Sequence, residues 1–114
     1  AEMADLIDRV DRASRGDGDR GIRGFVTNVS NFEATEDEVA YAHDVAGYLE
    51  GLHAIIDTGR NGAGPNGEWC NPPDRLVGEP GGSIGDDVVD TNLWIKPPGE
   101  SDGHCNGGPA AGRR

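Results

Sequence analysis

Apolar residues near the start of the chain recur at the spacing of a helix. They follow the i, i+3, i+4, i+7 pattern at Met3, Leu6, Ile7 and Val10. We therefore predict an amphipathic helix over residues 2–14, and its apolar face needs a packing partner. The charged, glycine-containing stretch 15–20 cannot bury anything and predicts a solvated connection.

The next three segments predict a strand, a helix and a second strand. Residues 22–29 are rich in β-branched and aromatic side chains, which is typical of a buried strand. Thr35 followed three residues later by Glu38 matches a capping box, and a helical face continues from there to Gly51. The apolar run 53–57 follows at once. This order is a βαβ unit, which predicts two parallel strands.

A long stretch without periodicity precedes the last predicted strand. Residues 58–90 show no regular pattern, and loops longer than about 12–15 residues are uncommon unless they are functional. We expect this loop to form part of the working surface. Residues 92–96 predict a third strand, which Pro97 and Pro98 end because neither can donate to a ladder. The predicted class is α/β, with about three parallel strands, connecting helices and long Gly/Pro-rich loops.

Composition shows that the chain has little apolar material for a core. Leu, Ile, Val and Phe account for 21 of the 114 residues, whereas Gly and Pro account for 26. Parallel strands are normally buried on both faces, and two of them are not stable alone. We therefore expect residues 1–114 to be one part of a larger domain. A largely disordered acidic segment is the alternative that composition leaves open.

The charge balance excludes several classes of partner. The formal net charge is -11, from 10 basic and 21 acidic residues. Such a field repels phosphate backbones, so we expect neither nucleic acid nor an anionic membrane as a partner. No stretch approaches the roughly 18 apolar residues that a membrane span requires. Neutral or cationic ligands remain possible.

Polar residues cluster directly after each predicted strand. Ligands of α/β proteins bind at the carboxyl ends of the strands, so these clusters are the candidate site. They are TNVSNF at 27–32, DTGRN at 57–61 and KPPGESD at 96–102, and Trp69 lies between the last two. Amides, carboxylates, Lys, Arg and Trp together suit a polyhydroxyl ligand with an apolar ring face. The combination predicts a sugar.

Several of these residues also have a plain structural interpretation. Asp57 and Arg60 can form a structural ion pair, and Trp69 can pack beneath its own loop. Glu100 and Asp102 lie two apart on a Gly/Pro loop, where carboxylates are usually solvated. Trp94 falls inside the third predicted strand and is interpreted as a packing residue.

Two further patterns concern modification and metal binding. Asn28 begins an N-glycosylation sequon, which is frequent by chance and here falls at a strand end. His53, His104, Cys70 and Cys105 lack zinc-finger spacing, so we expect no metal. The two cysteines lie in Gly/Pro-rich sequence and favour a disulfide, which indicates an oxidising compartment; two free thiols are the alternative.

Three segments resemble the cellulases of glycoside hydrolase family 6. The likeness lies in IIDTGRNGAGPNGEWCNPP at 55–73 and LWIKPPGESDGHCNGGPAAG at 93–112. TNVSNF at 27–32 also resembles the strand-end motif that precedes these segments in the family. The resemblance implies a partial distorted, TIM-like β/α barrel, with residues 1–114 as the C-terminal portion of the catalytic domain.

The resemblance also implies an activity. Family members hydrolyse β-1,4-glucosidic bonds of cellulose with inversion, as endoglucanases or cellobiohydrolases, without a cofactor. We accordingly expect a secreted, extracellular enzyme with β-1,4-glucan chains as its partner. The family's general acid has no match in this chain, so the isolated chain is expected to be inactive. A non-catalytic carbohydrate-binding fragment is the alternative.

Specific roles follow from the matched motifs. Asp102 matches the position proposed as the catalytic base, a role disputed within the family. The resemblance implies substrate binding by Asn31, Trp69, Lys96 and Glu100, support by Arg60 and Asp57, and a disulfide between Cys70 and Cys105. His104 departs from the family, which commonly has a small polar residue there. A histidine beside the base is a hypothesis for an altered charge environment of Asp102.

Overall fold

The computed structural model describes residues 2–15, 21–49 and 51–114. Its elements in chain order are α1 (Glu2–Arg15), β1 (Gly24–Thr27), α2 (Thr35–Tyr48), β2 (His53–Asp57) and β3 (Val89–Leu93). The three strands form one sheet in the order β1-β2-β3, and both pairings are parallel. The predicted α/β class is confirmed. Of the predicted connection over 15–20, only Arg15 is described, and it ends α1.

The βαβ unit is confirmed, but its first strand is shorter than predicted. β2 has the predicted bounds, 53–57, and pairs with β1 from Gly24 to Thr27. The prediction extended β1 to residue 29. It ends at Thr27 because Asn28 has a φ of 64°, in the left-handed region that breaks a strand.

The third strand begins and ends three residues earlier than the predicted segment 92–96. It begins at Val89, which is fully buried and pairs with Ala54, and it ends at Leu93 opposite Asp57. Since β2 itself ends at Asp57, the residues after Leu93 have no strand to pair with. Trp94 and Ile95 therefore lie beyond β3 and are partly exposed. The interpretation of Trp94 as a residue inside a strand was wrong.

The capping box predicted at the start of α2 is not formed. The N-cap is Ala34, which has no side-chain acceptor, and its carbonyl accepts the backbone N–H groups of Asp37 and Glu38. Thr35 is already helical. Its hydroxyl oxygen accepts a hydrogen bond from Asn61 Nδ2 at 2.9 Å. The threonine therefore joins the helix to the loop after β2 instead of capping its own helix.

The core lies between the two helices and one face of the sheet. One buried cluster joins α2 to β2 and β3, and consists of Ala42, Ala54, Ile56 and Val89. A second cluster, Ile7, Val45 and Leu52, joins α1 to α2. Of the four apolar residues predicted to form the buried face of α1, only Ile7 is buried. Leu6 and Val10 are 54% and 51% exposed, because nothing in the described chain covers them.

The sheet face opposite α2 is also uncovered. Val26 in β1 and Leu93 in β3 both lie on this face and are 46% and 43% exposed. Within residues 2–15, 21–49 and 51–114, no fourth strand pairs with either outer edge of the sheet. The carboxyl ends of all three strands meet at one edge, which positions the loops described next. No described helix is long and apolar enough to span a bilayer.

Candidate active site

Asp57 organises the loops at the carboxyl ends of the strands. It is the last residue of β2, and its side chain is buried. Its carboxylate accepts backbone N–H groups from Gly59 and Lys96 at 2.9 Å and, more weakly, from Ser30 at 3.4 Å. These donors belong to the loops after β2, β3 and β1 respectively. Asp57 therefore ties three loops together.

Arg60 pairs with Asp102, and not with Asp57. Arg60 Nη1 lies 2.8 and 2.9 Å from the two carboxylate oxygens of Asp102, and the side chains are only 9% and 5% exposed. Arg60 Nη2 donates to the carbonyl of Ser30 at 2.7 Å, and the guanidinium lies 4.4 Å from the centre of the Phe32 ring. The interpretation of Asp102 as a solvated carboxylate is therefore wrong.

Lys96 lies between two carboxylates of the loop after β3. Its Nζ is 3.7 Å from Asp102 Oδ1 and 3.8 Å from Glu100 Oε2. It also donates to the carbonyl of Ser101 at 3.3 Å. The structure thus brings Arg60, Lys96, Glu100 and Asp102 into one charged cluster.

The environment keeps Asp102 ionised. Burial raises the pKa of Asp102, but the hydrogen bond from Arg60, the N–H of Asn71 and the charges of Arg60 and Lys96 outweigh it. The net result is a pKa below the usual range of an aspartate. An ionised carboxylate can accept a proton, so the cluster suits a base and not a general acid.

The disulfide between Cys70 and Cys105 is confirmed. It joins the two long loops with a Cα–Cα distance of 6.0 Å. Trp69, directly before it, is 68% exposed, so the interpretation that it packs beneath its loop is wrong. An open indole face is available for a ligand ring.

Asn31 lies beside the charged cluster in the loop after β1. It is exposed, and its Oδ1 accepts the backbone N–H of Phe32 at 2.9 Å. The neighbouring Ser30 carbonyl accepts a hydrogen bond from Arg60, so Asn31 lies at the rim of the cluster.

His104 is exposed and lies two residues after Asp102 in the sequence. Its influence on the charge environment of that carboxylate stays a prediction.

The structure assigns the sequon residue Asn28 a structural role. Its side chain is buried, and its Nδ2 donates to the carbonyls of Glu33 and Asp57 at 3.0 and 3.1 Å. Its Oδ1 accepts the N–H of Glu33. Because glycosylation would need this nitrogen free and accessible, the sequon shapes the turn after β1 and accepts no glycan in this fold.

Sequence reasoning missed Asn71. Its backbone N–H donates to Asp102 Oδ2 at 2.9 Å, and its Oδ1 accepts the N–H of Asp102 at 2.7 Å. The only sequence signal was its position beside Cys70 in a loop predicted to be functional.

Within the described parts of the chain, no three His, Cys, Asp or Glu side chains converge on a possible metal position.

Comparison with known proteins shows the family of the chain. Residues 1–111 match the sequence profile described as Glycosyl hydrolases family 6, and the chain belongs to that family. Endoglucanase A of Cellulomonas fimi is 52% identical over 90 residues, which are 78% of this chain and 20% of that protein. A 1,4-beta-D-glucan cellobiohydrolase of Podospora anserina is 42% identical over 105 residues, covering 71% of this chain and 25% of that protein.

A solved structure extends the agreement to the fold. An endoglucanase from Mycobacterium tuberculosis, in complex with a methyl-cellobiosyl thio-cellobioside, superposes with a TM-score of 0.79 at 43% identity. The match covers 96% of this chain and 39% of that one. The three strands and two helices are thus part of the TIM-like β/α barrel of the family. The chain spans between a fifth and two fifths of the length of these three relatives.

Proposed function

We propose that the protein to which this chain belongs hydrolyses β-1,4-glucosidic bonds of cellulose with inversion, outside the cell. Residues 1–114 are then the C-terminal portion of its catalytic domain. Membership of family 6 and the names of the relatives support the reaction and substrate class. The disulfide supports an oxidising, extracellular location. The observation that carries the proposal is the buried Asp102 carboxylate held between Arg60 and Lys96 at the strand ends.

Asp102 would act as the general base. Inversion requires a carboxylate that activates water and a carboxylic acid that protonates the leaving oxygen, roughly 6.5–9.5 Å apart. The contacts of Asp102 favour its ionised form, which the base must have. The acid would come from the part of the catalytic domain outside this chain. Asp102 and its partner therefore belong to different portions of one barrel.

The neighbouring residues would hold the glucan. Exposed Trp69 offers a stacking face, while Lys96 and Glu100 offer donors and acceptors for hydroxyl groups. Asn31 would contact sugar from the rim. Arg60 and Asp57 would support the site, the first through Asp102 and the second through the loop backbones.

The test is substitution of Asp102 in the catalytic protein that contains this chain. Asp102→Ala is expected to lower kcat on a soluble β-1,4-glucan by roughly 10²–10⁴-fold, since it removes the base. Exposed Asp87 provides the control, and Asp87→Ala should leave kcat unchanged. NMR of the first product formed should show the α-anomer at the new reducing end. Full activity of Asp102→Ala, or a β-anomer, would contradict the proposal.

A second candidate is glucan binding without hydrolysis by residues 1–114 alone. The exposure of Trp69 favours it, because a stacking platform does not need a complete barrel. This candidate predicts that the isolated chain is retained on cellulose through Trp69, whereas the catalytic proposal concerns hydrolysis by the whole protein.

A further inference from the structure

Asn71 holds residue 102 through two separate atoms. Its backbone N–H reaches the carboxylate, and its side-chain oxygen receives the backbone N–H of Asp102. Arg60, by contrast, reaches both carboxylate oxygens from the single atom Nη1. A carboxylate held from one nitrogen can still tilt about that nitrogen. The two hydrogen bonds of Asn71 fix both the position and the rotation of the Asp102 carboxylate.

The orientation of the Asn71 amide is fixed by its other partners. Its Nδ2 donates to the carbonyls of Gly103 and Cys105 at 2.8 and 2.9 Å. A flipped amide would place its oxygen against these two carbonyls and its NH₂ group against the N–H of Asp102. Only the observed orientation satisfies every group. The side chain is therefore locked in the position that serves Asp102.

The surrounding backbone is shaped around this asparagine. Asn71 has a φ of 46°, a left-handed conformation that Asn and Gly adopt more readily than other residues. Gly108 packs directly on the amide, and a Cβ at Gly108 would lie 2.1 Å from Asn71 Nδ2. The loop thus has room for this side chain only because residue 108 lacks one.

Other links between the same two loops do not reach the carboxylate. The disulfide joins Cys70 to Cys105, and Asn106 Nδ2 donates to the carbonyl of Cys70 at 2.8 Å. Neither contact involves an atom of Asp102. Asn71 follows Trp69 by two residues, so its bonds also connect the stacking platform to the carboxylate.

We propose that Asn71 is a positioning residue that aligns the Asp102 carboxylate and sets its place relative to Trp69. The inference rests on the proposed role of Asp102 as base. It assigns to Asn71 a task that the disulfide does not perform.

The test compares Asn71→Gly with Asn106→Gly in the catalytic protein that contains this chain. Both asparagines have nearly the same φ, 46° and 47°, and both side chains join the two loops, so the backbone change is matched. We expect Asn71→Gly to lower kcat roughly 10- to 100-fold through misalignment of the base, with a smaller change in KM. The acidic limb of its pH profile should move to higher pH, because the backbone N–H of residue 71, which glycine keeps, is no longer held in line with Asp102 Oδ2. Asn106→Gly should keep the original profile.

Three outcomes separate the hypotheses. If Asn71→Gly and Asn106→Gly give the same kcat and the same acidic limb, Asn71 only joins the loops and the inference is wrong. If Asp102→Ala in the same protein keeps full activity, the base role itself is wrong. Gly108→Ala displaces the Asn71 amide without removing it, and should reproduce the shifted profile if Asn71→Gly does not fold. An unshifted profile for folded Gly108→Ala would overturn the inference.

Discussion

Two carboxylates at the strand ends bind different kinds of hydrogen-bond donor. Asp57 accepts backbone N–H groups from three loops, whereas Asp102 accepts a guanidinium and one backbone N–H. Backbone donors fix the path of the chain, and a cationic partner favours the charge of the carboxylate. Asp57 is thus the structural carboxylate of the pair, and Asp102 is the one to which the proposed function gives the role of base.

Removal of Asp57 should destabilise the protein. Asp57→Ala leaves the N–H groups of Gly59 and Lys96 without their acceptor, so we expect a loss of about 2–5 kcal/mol in the free energy of unfolding. Asp57→Asn keeps one acceptor oxygen and should lose less. Urea denaturation of the catalytic protein checks both variants. An Asp57→Ala variant as stable as the original would show that these bonds do not hold the loops.

Residue identities reveal the charged groups of the site but not their pairing. Asp57, Arg60, Lys96 and Asp102 could be predicted as candidates because they follow strands. An ion pair of Arg60 with Asp57, which is close in sequence, was one interpretation, but the partner in the structure is Asp102, 42 residues away. Contacts over such a separation depend on the path of the loops, and no periodic pattern encodes that path. Asn71 was missed for the same reason.

At the scale of elements, the start of β3 is fixed by Asp86. Its carboxylate accepts the N–H groups of Val88 and Val89 and lies 2.8 Å from His43 Nε2 on α2. The hydrogen bond with His43, followed by those from Val89 and Val88, lowers the pKa of Asp86 to about 2. One side chain therefore joins α2 to the first residue of the strand.

This contact should make stability depend on pH. The pKa of Asp86 in the folded protein is below that of an unfolded aspartate, about 3.9. Its contribution is therefore full above about pH 4 and is lost as the pH falls towards 2. We expect Asp86→Asn to cost about 1 kcal/mol near neutral pH, a value reduced for solvent screening. Urea midpoints at several pH values check this, with Asp87→Asn as control. A deficit that persists at pH 2 would contradict it.

Elements with a strong apolar pattern could be predicted, and those set by local polar contacts could not. β2 and both helices follow clear runs or periodicities. β3 has the sequence VDTNL, in which Asn92 is completely buried, and its pattern does not resemble a buried strand. Asn92 is accommodated because its Nδ2 donates to Thr58 Oγ1 and to the carbonyl of Pro80. The sequence pattern could not show these partners, so the strand was predicted at the more apolar segment 92–96.

At the scale of the whole molecule, apolar surface remains open on two sides. The outer face of α1 and the sheet face that carries Val26 and Leu93 are both uncovered in the described chain. Exposed apolar surface of this kind is typical of a contact area, and under the proposed function the rest of the catalytic domain would cover it. The scarcity of apolar residues predicts such a packing partner, and its identity as the rest of the domain stays a prediction.

The isolated 114-residue chain should therefore not hydrolyse a soluble β-1,4-glucan. We expect no activity above that of its Asp102→Ala variant, because the general acid would lie outside these residues. Retention on cellulose that Trp69→Ala abolishes would support the binding candidate. Hydrolysis that Asp102→Ala abolishes would contradict the expectation, and would mean that the chain assembles a complete site by itself.

The contacts of Asp102 in the described chain leave one lone pair of its carboxylate without a hydrogen-bond donor. A carboxylate offers about four lone pairs. Within residues 2–15, 21–49 and 51–114, Oδ2 receives hydrogen bonds from both Arg60 and Asn71, whereas Oδ1 receives one from Arg60. The unshared electron pair is on Oδ1, the oxygen 3.7 Å from Lys96 Nζ. Under the proposed function, the attacking water molecule would be held at that oxygen of Asp102.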